Sequence, residues 1–223
     1  IIMFFGPGTE EALDKIHEAF NHVRSTSNFN WTFIFILAVV FYVYWTEINN
    51  KNYKAVFAGL ALYGVHWLYE ICNAIIGKIF PAPLWTVSGD SSTFVLLIGV
   101  SWELSMMFAL AGIISWKMLP QDTNKYYFAN DKRKGISAKL VGALSMALLF
   151  SVFEIFLAGT SNGSFLWYYK WWGALPVFIT TYIPFFLAAN YIPDMEPKKR
   201  NIWLISIWGT VFVLLAILIP CGV

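Results

Sequence analysis

The sequence predicts an all-α integral membrane protein, built as a polytopic bundle of six transmembrane helices. Hydrophobic residues make up 58% of the 223 residues and charged residues only 13%, whereas a soluble domain carries about 25% charged residues. The long apolar segments are apolar on nearly all sides. The strands of a membrane barrel would instead alternate apolar and polar positions, so the pattern favours helices.

Six segments are long enough to cross the hydrocarbon core of a bilayer, which needs about 20 apolar residues per helix. They lie near residues 31–48, 53–79, 93–119, 137–159, 174–192 and 202–221. Because the connecting loops are short, we expect one transmembrane domain over residues 31–223. Residues 1–30 are expected to form a separate N-terminal segment.

The N-terminal segment has the pattern of an amphipathic helix. Thr9 is a good N-cap residue, and Glu10 and Glu11 follow it in the first turn, where acidic side chains are favourable. The next apolar residues recur at helical spacing: Leu13, Ile16, Phe20 and Val23. This spacing predicts a short helix that lies at the membrane interface.

The distribution of basic residues predicts the orientation of the chain. Most of the 15 Lys and Arg residues fall on one side of the six spans, including the cluster Lys132-Arg133-Lys134. Basic loops stay in the cytoplasm, so both termini are expected on the outer side, whether periplasmic, extracellular or lumenal. The formal net charge of +2 gives no basis for binding nucleic acid.

The second predicted span carries a polar stripe at its centre. Tyr63, His66, Glu70, Asn73 and Gly77 stand three or four residues apart and therefore share one helix face. Ionisable side chains are costly inside a membrane and mark a functional site by default. The stripe is therefore expected to face protein or water rather than lipid.

Two further carboxyl groups fall inside predicted spans. Glu103 in the third span is expected at a depth similar to that of Glu70, and Glu154 in the fourth span lies closer to the outer surface. A carboxyl group in a low-dielectric cavity can give up or accept a proton near neutral pH, and a neighbouring His66 completes an acid–base pair.

The fifth predicted span combines prolines with hydroxyl groups. Pro176 and Pro184 bracket Thr180, Thr181 and Tyr182, which predicts a kink where hydroxyl groups meet the freed backbone groups. A kink beside a polar cavity is a suitable place for a substrate pocket.

A metal site is the alternative use of the same side chains. Its ligands would be His66, Glu70, Glu103 and Glu154, since carboxylate and imidazole ligands suit iron, manganese or zinc. A dimetal carboxylate bundle, however, uses two Glu-x-x-His elements, whereas here one His precedes its Glu by four residues. The sequence therefore predicts no metal and no other cofactor.

The element His66-x-x-x-Glu70, an inward Glu103 on the next helix and a later aromatic-rich helix resemble the EXPERA group, which includes sterol Δ8–Δ7 isomerases. The resemblance covers residues 55–190. It implies a five-helix bundle with a membrane cavity, in which acidic groups and a His move a proton across a double bond and stabilise a carbocation. The sequence departs from the group in its sixth predicted span and in the fifth helix, where Tyr182 would replace an Asn followed by Trp.

Together these patterns predict a membrane enzyme that acts on a lipophilic substrate by proton transfer. His66 and Glu70 form the predicted acid–base pair, and Glu103 is the predicted second acid or cation stabiliser. The predicted substrate-binding residues surround them: Tyr63, Asn73, Trp102, Glu154 and Tyr182.

Two other functions remain open from the sequence. In a transporter, Glu70, Glu103 and Glu154 would carry protons or a cationic solute through a cavity reached from water. In a non-catalytic subunit, the many Trp and Phe side chains would hold a lipid, quinone or pigment. The expected partners are membrane lipids, a lipophilic small molecule, and further copies of the chain or a larger membrane complex.

Overall fold

The computed structural model describes residues 5–27, 29, 31–87, 94–130, 135–160 and 165–223. The basic cluster at residues 132–134 lies outside these residues. Helices dominate the described chain: α1 Glu10–His22, α2 Thr32–Asn49, α3 Tyr53–Ile79, α4 Trp102–Lys117, α5 Ala138–Thr160, α6 Ala174–Val177, α7 Ile183–Tyr191 and α8 Pro197–Leu218. A π-helical turn, Phe178–Tyr182, joins α6 to α7, and a 3₁₀ helix, Ile192–Asp194, follows α7.

Short strands form antiparallel pairs at both ends of the helical bundle. The pairs are β1 Trp85–Val87 with β6 Phe165–Trp167, β2 Val95–Leu97 with β3 Val100–Ser101, and β4 Tyr126–Tyr127 with β5 Ile136–Ser137. The first two pairs lie at the end where α3 finishes and α4 begins. We call β1, β2, β3 and β6 the strand cap.

Among the described residues, five helical segments are long and apolar enough to cross a membrane: Thr32–Asn49, Tyr53–Ile79, Ala138–Thr160, Ala174–Asp194 and Pro197–Leu218. The prediction of a helical membrane protein is thus confirmed. The count of six spans and the orientation of the termini are not confirmed.

The difference in span number lies in the third predicted span, residues 93–119. Its helix, α4, has 16 residues and is about 24 Å long, which is shorter than a hydrocarbon core of about 30 Å. The chain before α4 forms the β2–β3 hairpin instead of helix. The apolar run therefore consists of a buried hairpin followed by a short helix.

α4 runs antiparallel to α3 and packs closely against it. The Tyr63 hydroxyl pairs with Ser105, and further along α4 a Cβ added at Gly112 would overlap the carbonyl oxygen of Ala58. The hairpin before α4 therefore reaches into the bundle at the level of the middle of α3. Non-helical backbone is tolerated at such a level where protein covers it, and Val95 and Val100 are buried.

α3 is the central helix and packs against α4, α7 and α8, while α5 packs against α7. α2 and α8 lie at the periphery of the bundle, with most of their side chains exposed on its surface. α1 begins at the predicted cap, where Thr9 accepts a hydrogen bond from the Ala12 amide. Its apolar face packs on α3 and the hairpin through Ala19, so α1 covers the strand cap.

Candidate functional site

A small cavity of about 50 Å³ lies beneath the strand cap, between α3, α4, α5 and the π-helical turn. Its polar lining residues are His66, Glu70, Glu154, Thr181 and Tyr182. Aromatic and aliphatic side chains, such as Phe108 and Phe185, form the rest of the wall. A cavity of this size holds only a few atoms.

Glu70 meets the indole of Trp85 at the top of the cavity. The indole Nε1 lies 3.2 and 3.1 Å from the two carboxyl oxygens of Glu70. Asn73, one turn further along α3, holds β1 in place: its Nδ2 donates to the Trp85 carbonyl at 2.8 Å and its Oδ1 accepts the Leu84 amide at 2.8 Å. Asn73 therefore positions Trp85 by binding the backbone of β1.

Glu154 has an equivalent indole partner on the other strand of the pair. Trp167 Nε1 donates to Glu154 Oε1 at 2.8 Å, and the Tyr182 hydroxyl also bonds to this carboxyl group. Trp85 and Trp167 are direct partners in the β1–β6 register, so their side chains lie on one face of the strand pair. One pair of strands thus delivers both indole N–H groups to carboxyl groups from α3 and α5.

His66 lies beside Glu70 and is 1% exposed. Its Nε2 is 3.3 Å from Glu70 Oε1, but neither ring nitrogen makes a hydrogen bond with a partner among the described residues. The imidazole stacks on Phe108 with ring centroids 4.1 Å apart. Tyr63 lies nearly parallel to the imidazole at 6.3 Å. His66 is therefore held by aromatic packing, with Nε2 facing the carboxyl group of Glu70.

The π-helical turn contributes the remaining polar groups of the cavity. It lies between Pro176 and Pro184, where the sequence predicts a kink, and it places Thr181 and Tyr182 in the cavity wall. Within the described chain, Thr181 Oγ1 is buried without a hydrogen-bond partner. Single π-helical turns occur frequently at functional sites.

Several predicted site residues lie away from this cavity. Glu103 is half-buried in the first turn of α4 and does not line the cavity. The reason is the β2–β3 hairpin, which places Gly99 beside Glu70. The sequence predicts that a helix occupies this position and places Glu103 there instead. Tyr63 and Trp102 line a different cleft, between α2 and α4.

The geometry does not assemble the four ligands of the alternative metal site. In the described ranges, no group of three or more His, Cys, Asp or Glu side chains is close enough to hold a metal ion. Glu103 is apart from His66, Glu70 and Glu154. The absence of a metal or other cofactor stays a prediction.

Sequence reasoning missed the role of the two tryptophans. Trp167 belongs to an aromatic-rich run that is typical of an interfacial belt, and Trp85 lies in a proline-containing loop. Their function depends on pairing between three-residue strands that are 80 positions apart, and such pairing leaves no local signal in the sequence.

The helices and their composition define this chain as a helical integral membrane protein. Residues 13–220 match the model of an uncharacterized membrane protein family, and the chain belongs to that family. An uncharacterized protein of Archaeoglobus fulgidus is 38% identical over 189 residues, which cover 83% of this chain and 85% of that protein. No solved structure matches the chain.

The family assignment corrects the resemblance to the EXPERA group, which is wrong. The matching model over residues 13–220 is that of a different membrane family. The resemblance rested on His66, Glu70 and Glu103, and a spacing of four on one helix plus a Glu on the next arises in unrelated bundles. In this fold, moreover, Glu103 does not share the cavity of the other two residues.

Proposed function

We propose that the protein is an intramembrane acid–base enzyme that transfers a proton to or from a lipophilic substrate at the cavity of Glu70 and Glu154. One observation carries the proposal: two carboxyl groups from different helices face one buried cavity, and each is held by a neutral indole N–H. In the described part of the chain, no Lys or Arg lines this cavity.

The chemistry follows from the partners of the carboxyl groups. A buried carboxylate without a cation is strongly disfavoured, and two carboxyl groups in one site do not ionise together easily. A neutral carboxylic acid can donate a proton, while an ionised neighbour or a neutral imidazole can accept one. Glu70, Glu154 and His66 supply these complementary groups within one cavity.

Tyr182 and the two tryptophans serve as positioning residues in this proposal. Their N–H and O–H groups point at the carboxyl oxygens and stabilise negative charge when a proton leaves. Since these donors are fixed by the β1–β6 register and the π-helical turn, they need no rearrangement during proton transfer. The proposed donor set is therefore preorganised.

The size and surroundings of the cavity favour a lipophilic substrate. The cavity lies among membrane-spanning helices and has mainly apolar walls. A volume of about 50 Å³ accommodates only the reacting atoms, so the remainder of any lipid must lie outside the cavity.

The test is deuterium transfer from solvent. The purified protein is incubated in D₂O with lipids extracted from the membranes in which it occurs, and mass spectrometry identifies lipids that gain deuterium. Glu70→Gln and Glu154→Gln are expected to lower the rate of incorporation by about 100-fold or more, because general acid–base groups contribute about 10²–10⁴ to a rate.

Glu103→Gln is the matched control because it removes a carboxyl group outside the cavity. It is expected to keep the wild-type rate. Equal rates in wild type, Glu70→Gln and Glu154→Gln would exclude acid–base chemistry at this cavity. A wild-type protein that deuterates no lipid, yet moves protons across liposome membranes unless Glu154 is replaced, would support the transporter instead.

A further inference from the structure

A second and larger cleft, of about 560 Å³, lies between α2 and α4. This volume falls in the range of about 300–1,000 Å³ that is typical of small-molecule sites. The walls are almost entirely apolar, with a concentration of aromatic side chains: Phe41, Tyr44, Trp45, Tyr63, Trp67 and Trp102. Such walls suit a hydrocarbon chain.

The cleft is closed at both ends. Near the strand cap, the rings of Phe33 and Trp102 meet edge to face at 5.6 Å. At the opposite end, the Tyr44 hydroxyl donates to the Ala109 carbonyl at 2.8 Å, and Glu47 pairs with Lys117. These contacts fix α2 to α4 above and below the cleft, so it is bounded in the direction of the helix axes.

A pair of hydroxyl groups lies on the wall of the cleft. The hydroxyl groups of Tyr63 and Ser105 are 2.7 Å apart, and either can be the donor. The bond between them uses one of the two hydroxyl protons, which leaves the other for an oxygen atom of a ligand. The cleft therefore suits a long hydrocarbon chain that carries an oxygen.

The cleft and the acid cavity share a wall. Leu104 and Phe108 of α4 line the cavity, whereas Ser105 and Ala109 of the same helix line the cleft. From α3, the Tyr63 ring lines the cleft and lies nearly parallel to the His66 imidazole, 6.3 Å away. A chain held in the cleft is thus one side-chain layer from His66, which lines the acid cavity.

From these contacts we infer that the α2–α4 cleft binds the hydrocarbon chain of an oxygen-bearing lipid, which is the substrate of the acid cavity. The statement that this lipid is a substrate rests on the proposed function. Binding in the cleft is tested separately from the chemistry.

The experiment titrates the full chain, purified in detergent, with oleyl alcohol and counts bound molecules by native mass spectrometry. Wild type is expected to retain one molecule. Val40→Phe adds bulk inside the cleft and is expected to weaken binding about tenfold or more, since overpacking costs about 1–3 kcal/mol. Val39→Phe is the matched control: it is the neighbouring residue, 37% exposed, outside the cleft lining.

The polar contact is tested by the same titration with the double variant Tyr63→Phe/Ser105→Ala, which removes both hydroxyl groups. Loss of one neutral hydrogen bond is expected to weaken the binding of oleyl alcohol about fivefold. The hydrocarbon 1-octadecene, which has no oxygen, is expected to bind wild type and the double variant equally.

The outcomes separate this inference from the proposed chemistry. Equal binding by Val39→Phe and Val40→Phe, or no retained molecule in wild type, would overturn the cleft as the binding site. Glu70→Gln and Glu154→Gln are expected to bind oleyl alcohol normally. If they do so while wild type transfers no deuterium to any lipid, the cleft stands as a lipid site and the proposed enzyme function fails.

Discussion

The two ends of the bundle hold carboxyl groups in opposite ways. At the end away from the strand cap, Asp194 Oδ1 lies 2.6 Å from Lys54 Nζ and Oδ2 lies 2.6 Å from Lys139 Nζ. Thr123 adds a hydroxyl donor at 2.6 Å. Beneath the strand cap, Glu70 and Glu154 receive indole N–H groups instead.

This difference separates a structural anion from a group that can change its charge. Two ammonium groups fix Asp194 as an anion and tie the start of α3 and of α5 to the 3₁₀ helix that follows α7. A neutral indole N–H bonds to a carboxyl oxygen whether or not the group is ionised, so it positions Glu70 and Glu154 without fixing their charge. The same type of side chain thus supports folding at one end and, in the proposed function, proton transfer at the other.

The largest effect on stability is expected from Asp194→Asn. It leaves Lys139, a buried lysine, without its anion. Breaking a fully buried ion pair costs about 3–5 kcal/mol, and since Asp194 is partly exposed the expected loss is about 3 kcal/mol. Unfolding of the purified protein in detergent measures the loss. Glu196→Gln is the control because its ion pair with Lys199 is exposed, and such pairs contribute about 0–1 kcal/mol. Similar stabilities for both variants would contradict the structural role of Asp194.

A smaller loss of stability, of about 1–3 kcal/mol, is expected from Trp167→Phe. The change keeps an aromatic ring but removes the donor to Glu154, and a buried acceptor that loses its partner carries a cost of this size. The same unfolding experiment measures it. Trp171→Phe makes the same substitution at a side chain that is 61% exposed and is expected to change little. Equal effects of the two variants would show that the indole N–H does not hold Glu154.

The sequence predicted the helical class and part of the cavity. Apolar length alone defined the long helices, and the spacing of four between His66 and Glu70 placed them 3.3 Å apart. The position of Glu103 was not predictable, because residues 93–119 form one apolar run in which a buried hairpin and a helix have the same composition. The structural signal at the boundary is Ser101, whose hydroxyl caps α4 by accepting the Leu104 amide.

The residues that contact Glu154 could not be predicted from any local sequence pattern. Trp167 reaches it only because β6 pairs with β1 in a register that sets Trp85 opposite Trp167. Tyr182 reaches Glu154 because it lies in a π-helical turn, where side chains point in directions that differ from those in an α-helix. Prolines 176 and 184 indicated an irregular helix there but not the kind of irregularity.

Glu154→Gln is expected to change stability by less than about 1 kcal/mol. The amide of Gln has nearly the same shape as a neutral carboxyl group, and its oxygen still accepts the Trp167 indole. The same variant is expected to lose deuterium transfer, so it should lower activity without lowering stability. Unfolding of this variant beside Asp194→Asn measures the difference. A loss as large as that of Asp194→Asn would mean that Glu154 is a fixed anion and that the two ends do not differ.

The smallest effect, and the one with opposite sign, is expected from Thr181→Val. Thr181 Oγ1 is buried without a hydrogen-bond partner among the described residues, and an apolar group of the same shape avoids that penalty, so stability should rise by up to about 1 kcal/mol. Thr180→Val is the control, because the Thr180 hydroxyl donates to the Pro176 carbonyl at 2.7 Å and its loss should destabilise. If Thr181→Val lowers stability as much as Thr180→Val does, the cavity hydroxyl is satisfied in the resting protein. The cavity would then resemble the Asp194 end, where Lys54, Lys139 and Thr123 satisfy the carboxylate.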